Sequence, residues 1–270
     1  MPDIAFFSAK RLASLIRRRK IGSVELLEHY LARFEKYNPQ LNAIVETRIE
    51  KAREQARAAD QALARSERWG PLHGVPMTVK DSFDVKGLAT TWGVPTQKNN
   101  IATADALSVR RLTEAGAVIF GKTNVPMWLA DCQSFNSIYG RTQNPWNLDH
   151  SPGGSSGGSA AALAAGLTGL EMGSDIAGSI RNPAAFCGLY GHKPTMGICA
   201  TQGHTLDKNL APIDMLVIGP LARSAGDLAI ALKIISGFDE IDSQGLQISL
   251  PRPRKKRLDE YKISIIVEDE

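Results

Sequence analysis

Apolar residues recur at helical spacing early in the chain and contract into short strand-like runs further on. Val24, Leu27, Leu31 and Phe34 follow Ser23 at intervals of three and four. That spacing predicts a helix capped at Ser23 and ending before Asn38-Pro39. A second helix is expected over 50–65, rich in Ala, Arg and Glu. Together they read as a helical layer within residues 1–70. Short apolar runs at 75–80, 117–121 and 168–172 suit strands, and helices are expected at 105–114 and 159–165. Ser224 reads as the cap of a later helix, with Asp227 near the capping-box position. Leu228, Ile230, Ala231 and Ile234 would supply its apolar side. Helices alternating with short apolar strands argue an α/β layered fold. There is no internal repeat.

The last part of the chain breaks this alternation. Residues 250–257 are basic and contain proline, which reads as an exposed linker. An apolar run at 261–267 begins a strand and meets the acidic residues 268–270.

Composition narrows the function classes. A chain of 270 residues, 43% hydrophobic and 22% charged, can bury a sizeable core. Its net charge of +4 is mild, and much of it sits in the runs 17–20 and 252–257. Solvated helix ends and loops account for such runs, and no zinc-knuckle or Arg-Gly repeat supports nucleic-acid binding. Cys132, Cys187 and Cys199 include no CxxC pair, so a disulfide framework is not expected and a reducing cytoplasm fits. The first residues lack a signal-peptide plan, and no apolar run approaches the roughly 20 residues of a membrane span.

Three segments carry candidate chemistry. Lys80 ends the run Gly-Val-Pro-Met-Thr-Val-Lys-Asp at 74–81. Ser155 lies in Ser-Pro-Gly-Gly-Ser-Ser-Gly-Gly at 151–158, and Ser179 in Gly-Ser-Asp-Ile-Ala-Gly-Ser-Ile-Arg-Asn-Pro at 173–183. Acyl transfer needs a nucleophile, a proton acceptor and donors for the developing oxyanion. The turn before Ser179 precedes an expected helix near Arg181, so the backbone N–H groups of Ile176, Ala177, Gly178 and Ser179 are placed to converge on one point. A lysine buried at a strand end favours its neutral amine, although Asp81 or Asp175 would oppose this if close.

Blander readings compete. Gly-x-Ser-x-Gly occurs at 153–157 and again at 154–158, but a nucleophile elbow needs a preceding buried strand and 144–152 reads as loop. A Walker A loop would end in Gly-Lys-Ser/Thr, and no lysine follows these glycines. A structural Gly/Ser turn before a helix would explain 153–159 alone. His29, His73, His150 and His192 have no metal-ligand spacing, and surface, loop or supporting roles suit them. Inert buried thiols suit the cysteines, and core packing suits Trp92, Trp128 and Trp146.

Taken together, the three segments resemble the amidase signature family of serine hydrolases, over about 23–267 and most strongly between 150 and 195. The resemblance implies a mixed, twisted central sheet with helices on both faces. It implies hydrolysis of a carboxylic amide by a Ser–Ser–Lys triad: Ser179 as nucleophile, Ser155 as bridging serine and Lys80 as base. Ser155 takes the bridging role over Ser156 because its separation from Ser179 matches the family's. No cofactor, metal or histidine base is implied, and the Gly154–Ser155 peptide bond is expected to be cis. Asp175 and Arg181 are expected to pair and hold the nucleophile loop. One departure is Ala177, where the family often has glycine. Members usually continue for a long second segment, so residues 1–270 read as the N-terminal portion of one amidase-signature domain. The resemblance extends to the A-subunit branch of glutamyl-tRNA amidotransferases, whose glutaminase uses the same triad and passes ammonia to a partner protein. The non-enzyme alternative is a truncated, inactive product. The expected partner is a small-molecule amide in the cytoplasm, without membrane contact, and without nucleic acid outside an amidotransferase; a homodimer is left open.

Overall fold

Two three-stranded sheets, laid edge to edge, organise the described part of the chain. The structure is a computed structural model and describes residues 3–205, 213–255 and 257–264. Its α-helices are α1 (Ala9–Arg17), α2 (Ser23–Leu41), α3 (Ile49–Ala64), α4 (Leu107–Glu114), α5 (Gly157–Ala164), α6 (Arg181–Phe186) and α7 (Ala225–Ile235). The strands are β1 (Ile44–Thr47), β2 (Pro76–Lys80), β3 (Val118–Thr123), β4 (Phe135–Asn136), β5 (Gly140–Arg141), β6 (Glu171–Asp175), β7 (Tyr190–Gly191) and β8 (Val217–Ala222). The first sheet runs β1-β3-β2, with β1 antiparallel and β2 parallel to β3. In the second sheet, β6-β8-β7, both pairs are antiparallel. The sheets meet where the Gly169 N–H donates to the Pro76 carbonyl at 3.1 Å and the Thr78 N–H to Thr168 Oγ1 at 3.0 Å. With helices covering both sides, this is the mixed α/β architecture that the sequence predicts.

Strand periodicity aims the site. One core gathers Leu12 and Ile16 of α1, Met77 and Val79 of β2, Leu112 of α4, and Ala231 and Ile235 of α7. A second gathers Leu27 and Leu31 of α2, Ala56 of α3, Val118 and Phe120 of β3, and Ala161 of α5. Each fully buried Leu, Val or Phe contributes roughly 1.5–3 kcal/mol. Met77 and Val79 enter the first core, so the period of two turns Thr78 and Lys80 to the opposite face.

Several boundaries differ from the sequence reading, each for a local reason. Ser23 is not the cap of α2 but its first residue; Gly22 is the cap, and Ser23 Oγ donates to the Gly74 carbonyl at 2.8 Å. The Asp60 carboxylate takes the Ser23 and Val24 N–H groups instead. The helix runs through Pro39 to Leu41 and stops at left-handed Asn42. Asn38 fixes this stop: its Oδ1 accepts from the Ala43 and Ile44 N–H groups. The expected helical layer is interrupted by β1, whose four residues are too few to show a period. The strand expected at 168–172 lies at Glu171–Asp175, because Thr168 and Gly169 bridge the two sheets. Asp227 does not complete a capping box for α7. Its carboxylate accepts the Ala9 and Lys10 N–H groups, each at 2.9 Å, and so caps α1. The linker expected at 250–257 is exposed at 250–255 and 257. Of the strand expected at 261–267, residues 261–264 are not strand and 265–267 lie outside the described residues.

Helix α5 approaches the first sheet more closely than a side chain allows. A Cβ at Gly158 would stand 2.3 Å from the Asn124 nitrogen and 2.6 Å from its oxygen. Gly158→Ala should therefore force backbone movement and cost about 1–3 kcal/mol, as overpacking does. Urea unfolding measures it; an unchanged midpoint would contradict so close a contact.

Candidate active site

Lys80 closes β2 and is fully buried. Its Nζ lies 2.6 Å from Ser155 Oγ, 3.0 Å from Ser174 Oγ and 3.5 Å from the Ser174 carbonyl. Burial pushes the ammonium down to about 7, and the Asp175 charge opposes part of that shift. Asp81 does not pair with Lys80. Its carboxylate faces Lys122 Nζ at 3.3 Å and accepts from Thr91 Oγ1 at 2.7 Å. The adjacent acid is thereby occupied, and Lys80 is left among hydroxyls and a carbonyl.

The Gly/Ser segment runs into α5, and its geometry follows from crowding. The Gly154–Ser155 peptide bond is cis. A Cβ on Gly154 would meet the Asp131 oxygen at 2.6 Å, so the chain passes here only as glycine. Ser134 Oγ braces the segment, accepting the Gly157 N–H at 3.0 Å and donating to the Gly153 carbonyl at 3.2 Å. Ser156 serves the backbone: its N–H donates to the Ser179 carbonyl at 3.1 Å, and its Oγ to the Ser174 carbonyl at 3.4 Å. Ser155 is thus the serine of this pair that meets Lys80.

Ser179 sits half-buried on the turn between β6 and α6, and its side chain has no hydrogen-bond partner among the described residues. The buried Asp175 carboxylate organises that turn. It accepts the N–H groups of Gly178 (2.8 Å), Ile180 (3.0 Å) and Arg181 (3.2 Å), and Arg181 Nη2 at 3.0 Å. Burial alone would raise the Asp175 pKa; the Arg181 guanidinium and the backbone donors outweigh it and hold the acid at about 2. Four N–H groups were expected to converge on an oxyanion. The Gly178 N–H differs, because it is engaged by Asp175 within its own loop. The N–H groups of Ile176, Ala177 and Ser179 have no acceptor among the described residues.

Other residues depart from their sequence readings. Of the three tryptophans assigned to core packing, only Trp92 packs inside; Trp128 and Trp146 are 55% and 74% exposed. Cys132 is exposed, whereas burial pushes the Cys187 thiol up to about 12. His73 is buried and bonded to the Ala59 carbonyl. His204, unremarked in the sequence, is buried against Phe83 and Trp92 with Nε2 2.9 Å from Ser82 Oγ. Among the described residues no group of His, Cys, Asp and Glu is arranged to hold a metal ion.

Ser174, Ser134 and Lys122 also escaped the sequence reading. A usable signal existed for Lys122. It sits near the end of the apolar run Val-Ile-Phe-Gly-Lys-Thr, just as Lys80 ends Pro-Met-Thr-Val-Lys. Ser174 stands inside the motif of Ser179 but is one hydroxyl among many. Ser134 lies far from any motif and is found only by folding.

The Asp175 cluster predicts a pH-dependent stability. Its folded pKa lies below the ordinary carboxylate value, so its contribution is complete above about pH 4–5 and fades as pH falls towards 2. Asp175→Asn should lower neutral-pH stability by about 1–3 kcal/mol, as buried donors lose their acceptor. Urea midpoints of the two proteins should converge between pH 5 and about 2; a gap constant across that range would contradict the assignment.

Comparison with known proteins places the chain in a family. The sequence model of the Amidase family matches residues 25–270. The A-subunit of glutamyl-tRNA(Gln) amidotransferase from Methylobacillus flagellatus is 43% identical over 240 residues, covering 89% of this chain and 48% of that protein. Its counterpart from Methylococcus capsulatus is 45% identical with the same coverage. Among solved structures, a bacterial aryl acylamidase of the amidase signature family superposes with a TM-score of 0.84 at 31% identity, covering 91% of this chain and 50% of that one. Native peptide amidase from Stenotrophomonas maltophilia superposes with a TM-score of 0.82 at 33% identity, covering 90% and 51%. The chain spans about half the length of the relatives it matches. A family model spanning most of the chain and an amidase-signature fold at better than 30% identity lead to one conclusion: this chain belongs to the amidase family.

Proposed function

We propose that this chain carries the catalytic centre of an amide hydrolase, with Ser179 as nucleophile, Ser155 as proton relay and Lys80 as general base. The observation that carries the reading is the fully buried Lys80 amine 2.6 Å from Ser155 Oγ. A neutral amine has two N–H donors and one lone pair. The donors fit the oxygens of Ser174, which leaves the lone pair for the Ser155 hydroxyl. Ser155 gives its proton to Lys80 and takes that of Ser179 as Ser179 Oγ bonds to the amide carbon. The negative charge moves to the carbonyl oxygen, where the Ile176, Ala177 and Ser179 N–H groups are the proposed donors. Collapse breaks the C–N bond, and the relayed proton leaves with the amine. Water then repeats the route, releasing carboxylate and restoring Ser179. Asp175 and Arg181 hold the loop. The reaction as drawn uses no cofactor.

A small-molecule amide is the proposed substrate and the cytoplasm the proposed location; among the described residues no helix is long and apolar enough to cross a membrane. A second reading is favoured by the amidotransferase relatives at 43% and 45% identity. In it the same triad releases ammonia from glutamine for a partner protein. Turnover of glutamine with a candidate partner and charged tRNA, but not of simple amides, would select that reading.

Two outcomes test the triad. Fluorophosphonate labelling should vanish in Ser179→Ala; a label found on another serine would overturn the nucleophile. The labelling rate should rise with pH through about 7 and then level, as Lys80 loses its proton. Lys80→Ala should slow it by about 10²- to 10⁴-fold, the usual worth of a general base. A rate indifferent to Lys80 would contradict the relay.

A further inference from the structure

Beneath the triad lies a second buried polar cluster that the reaction does not consume. Glu171 of β6, Thr78 of β2, Thr123 of β3 and Ser159 of α5 are all fully buried. Thr78 Oγ1 donates a hydrogen bond to Glu171 Oε1. Thr123 Oγ1 and Ser159 Oγ lie 2.7 Å apart, and both hydroxyls, with that of Thr78, lower the Glu171 pKa against the larger effect of burial, which raises it. The four residues stand on the four elements that place the triad. Thr78 is two residues before Lys80, Ser159 four after Ser155, and Glu171 three before Ser174. Thr123 is the register partner of Lys80.

The carboxyl has no cation. No ion pair of the described residues includes Glu171. From β2, Lys80 faces Ser155 and Ser174; from β3, Lys122 pairs with Asp81. On β6 itself, Asp175 pairs with Arg181. Helix α5 and strand β8 carry no ionisable residue, and Arg223 just beyond β8 is bound to the carbonyls of Leu163 and Thr168. Glu171 Oε2 completes no hydrogen bond. An ionised carboxylate in such a place would leave both a charge and an acceptor unsatisfied, whereas a carboxylic acid can turn its O–H towards a neighbouring hydroxyl.

We propose that Glu171 is a positioning residue that works as a neutral carboxylic acid, clamping β2, β3, α5 and β6 so that Lys80 and Ser155 keep their contact. The proposal rests on the Lys80–Ser155 relay described above. Burial raises the Glu171 pKa to about 8, which agrees with a protonated acid at neutral pH.

Glu171→Gln is the decisive variant, because an amide copies the acid's acceptor and donor but cannot ionise. Labelling of the full chain should stay within about threefold of the original for Glu171→Gln and slow about tenfold or more for Glu171→Ala, at unchanged probe affinity. Glu171→Gln labelling as slowly as Glu171→Ala would overturn the neutral-acid role. Thermal unfolding gives a readout independent of activity. Glu171 is raised from about 4.3 in the unfolded chain to about 8 when folded, so its stabilising proton is lost as pH climbs across that interval. The melting temperature of Glu171→Gln relative to the original should therefore rise from pH 5 to about 8 and then level. A difference flat with pH overturns the proposal even if Glu171→Ala fails to fold. An original chain that labels nowhere would sink the Ser179 reading, and the unfolding curves would still decide Glu171.

Discussion

A fully buried amine without a carboxylate partner is the constraint around which this structure is arranged. Lys80 is fully buried, and 2.6 Å separates its Nζ from Ser155 Oγ. A free lysine near 10.4 is a cation at neutral pH and no base at all. Removing its hydration favours the neutral form, provided that no anion is near enough to restore the charge. Both neighbouring acids are occupied elsewhere, Asp81 by Lys122 and Thr91, Asp175 by Arg181 and three backbone N–H groups. The fold separates one basic group from two acids close by in sequence or space.

That separation depends on ordinary secondary-structure rules. A period of two on β2 puts Met77 and Val79 into one core and sends Thr78 and Lys80 the other way. Glycine at 158 lets α5 lie against the first sheet, which brings Ser155 to the lysine. Glycine at 154 lets the preceding turn pass the 131–133 backbone. On the far side, β6 delivers Ser174 to Lys80 and Asp175 to the turn that carries Ser179. Each contact is worth about a kilocalorie per mole or a few. Their common effect is on geometry, because an acyl-transfer centre tolerates little displacement.

Much of this was legible in the sequence. The strand ending in Lys80, the helix after the Gly/Ser run and the alternation of helices with short strands all emerge from periodicity. The three motifs named Lys80, Ser155 and Ser179 through a family resemblance, and the Asp175–Arg181 pair followed from their positions about Ser179. What stayed hidden was set by tertiary contact. Asp227 reads as a helix cap for its own element, yet it caps α1 from 218 residues away. Asn38-Pro39 reads as a stop, yet the helix runs on to Leu41 and ends where the Asn38 side chain takes the Ala43 and Ile44 N–H groups. Ser134, Ser174 and Glu171 look like single polar residues in weakly patterned stretches, and only the packed chain gives them partners. The Gly178 N–H belonged, by its place on the turn, to the oxyanion group. The Asp175 side chain, whose direction no sequence reveals, engages it instead.

The proposed relay requires a neutral Lys80 amine at working pH. It is tested most directly by nuclear magnetic resonance of the chain labelled with ¹³C at lysine Cε, with the Lys80 signal assigned by its loss in Lys80→Arg. The Lys80 signal should titrate near 7, far below a free lysine. A Lys80 signal that stays protonated until about pH 10 would contradict it, and with it the assignment of Lys80 as the base.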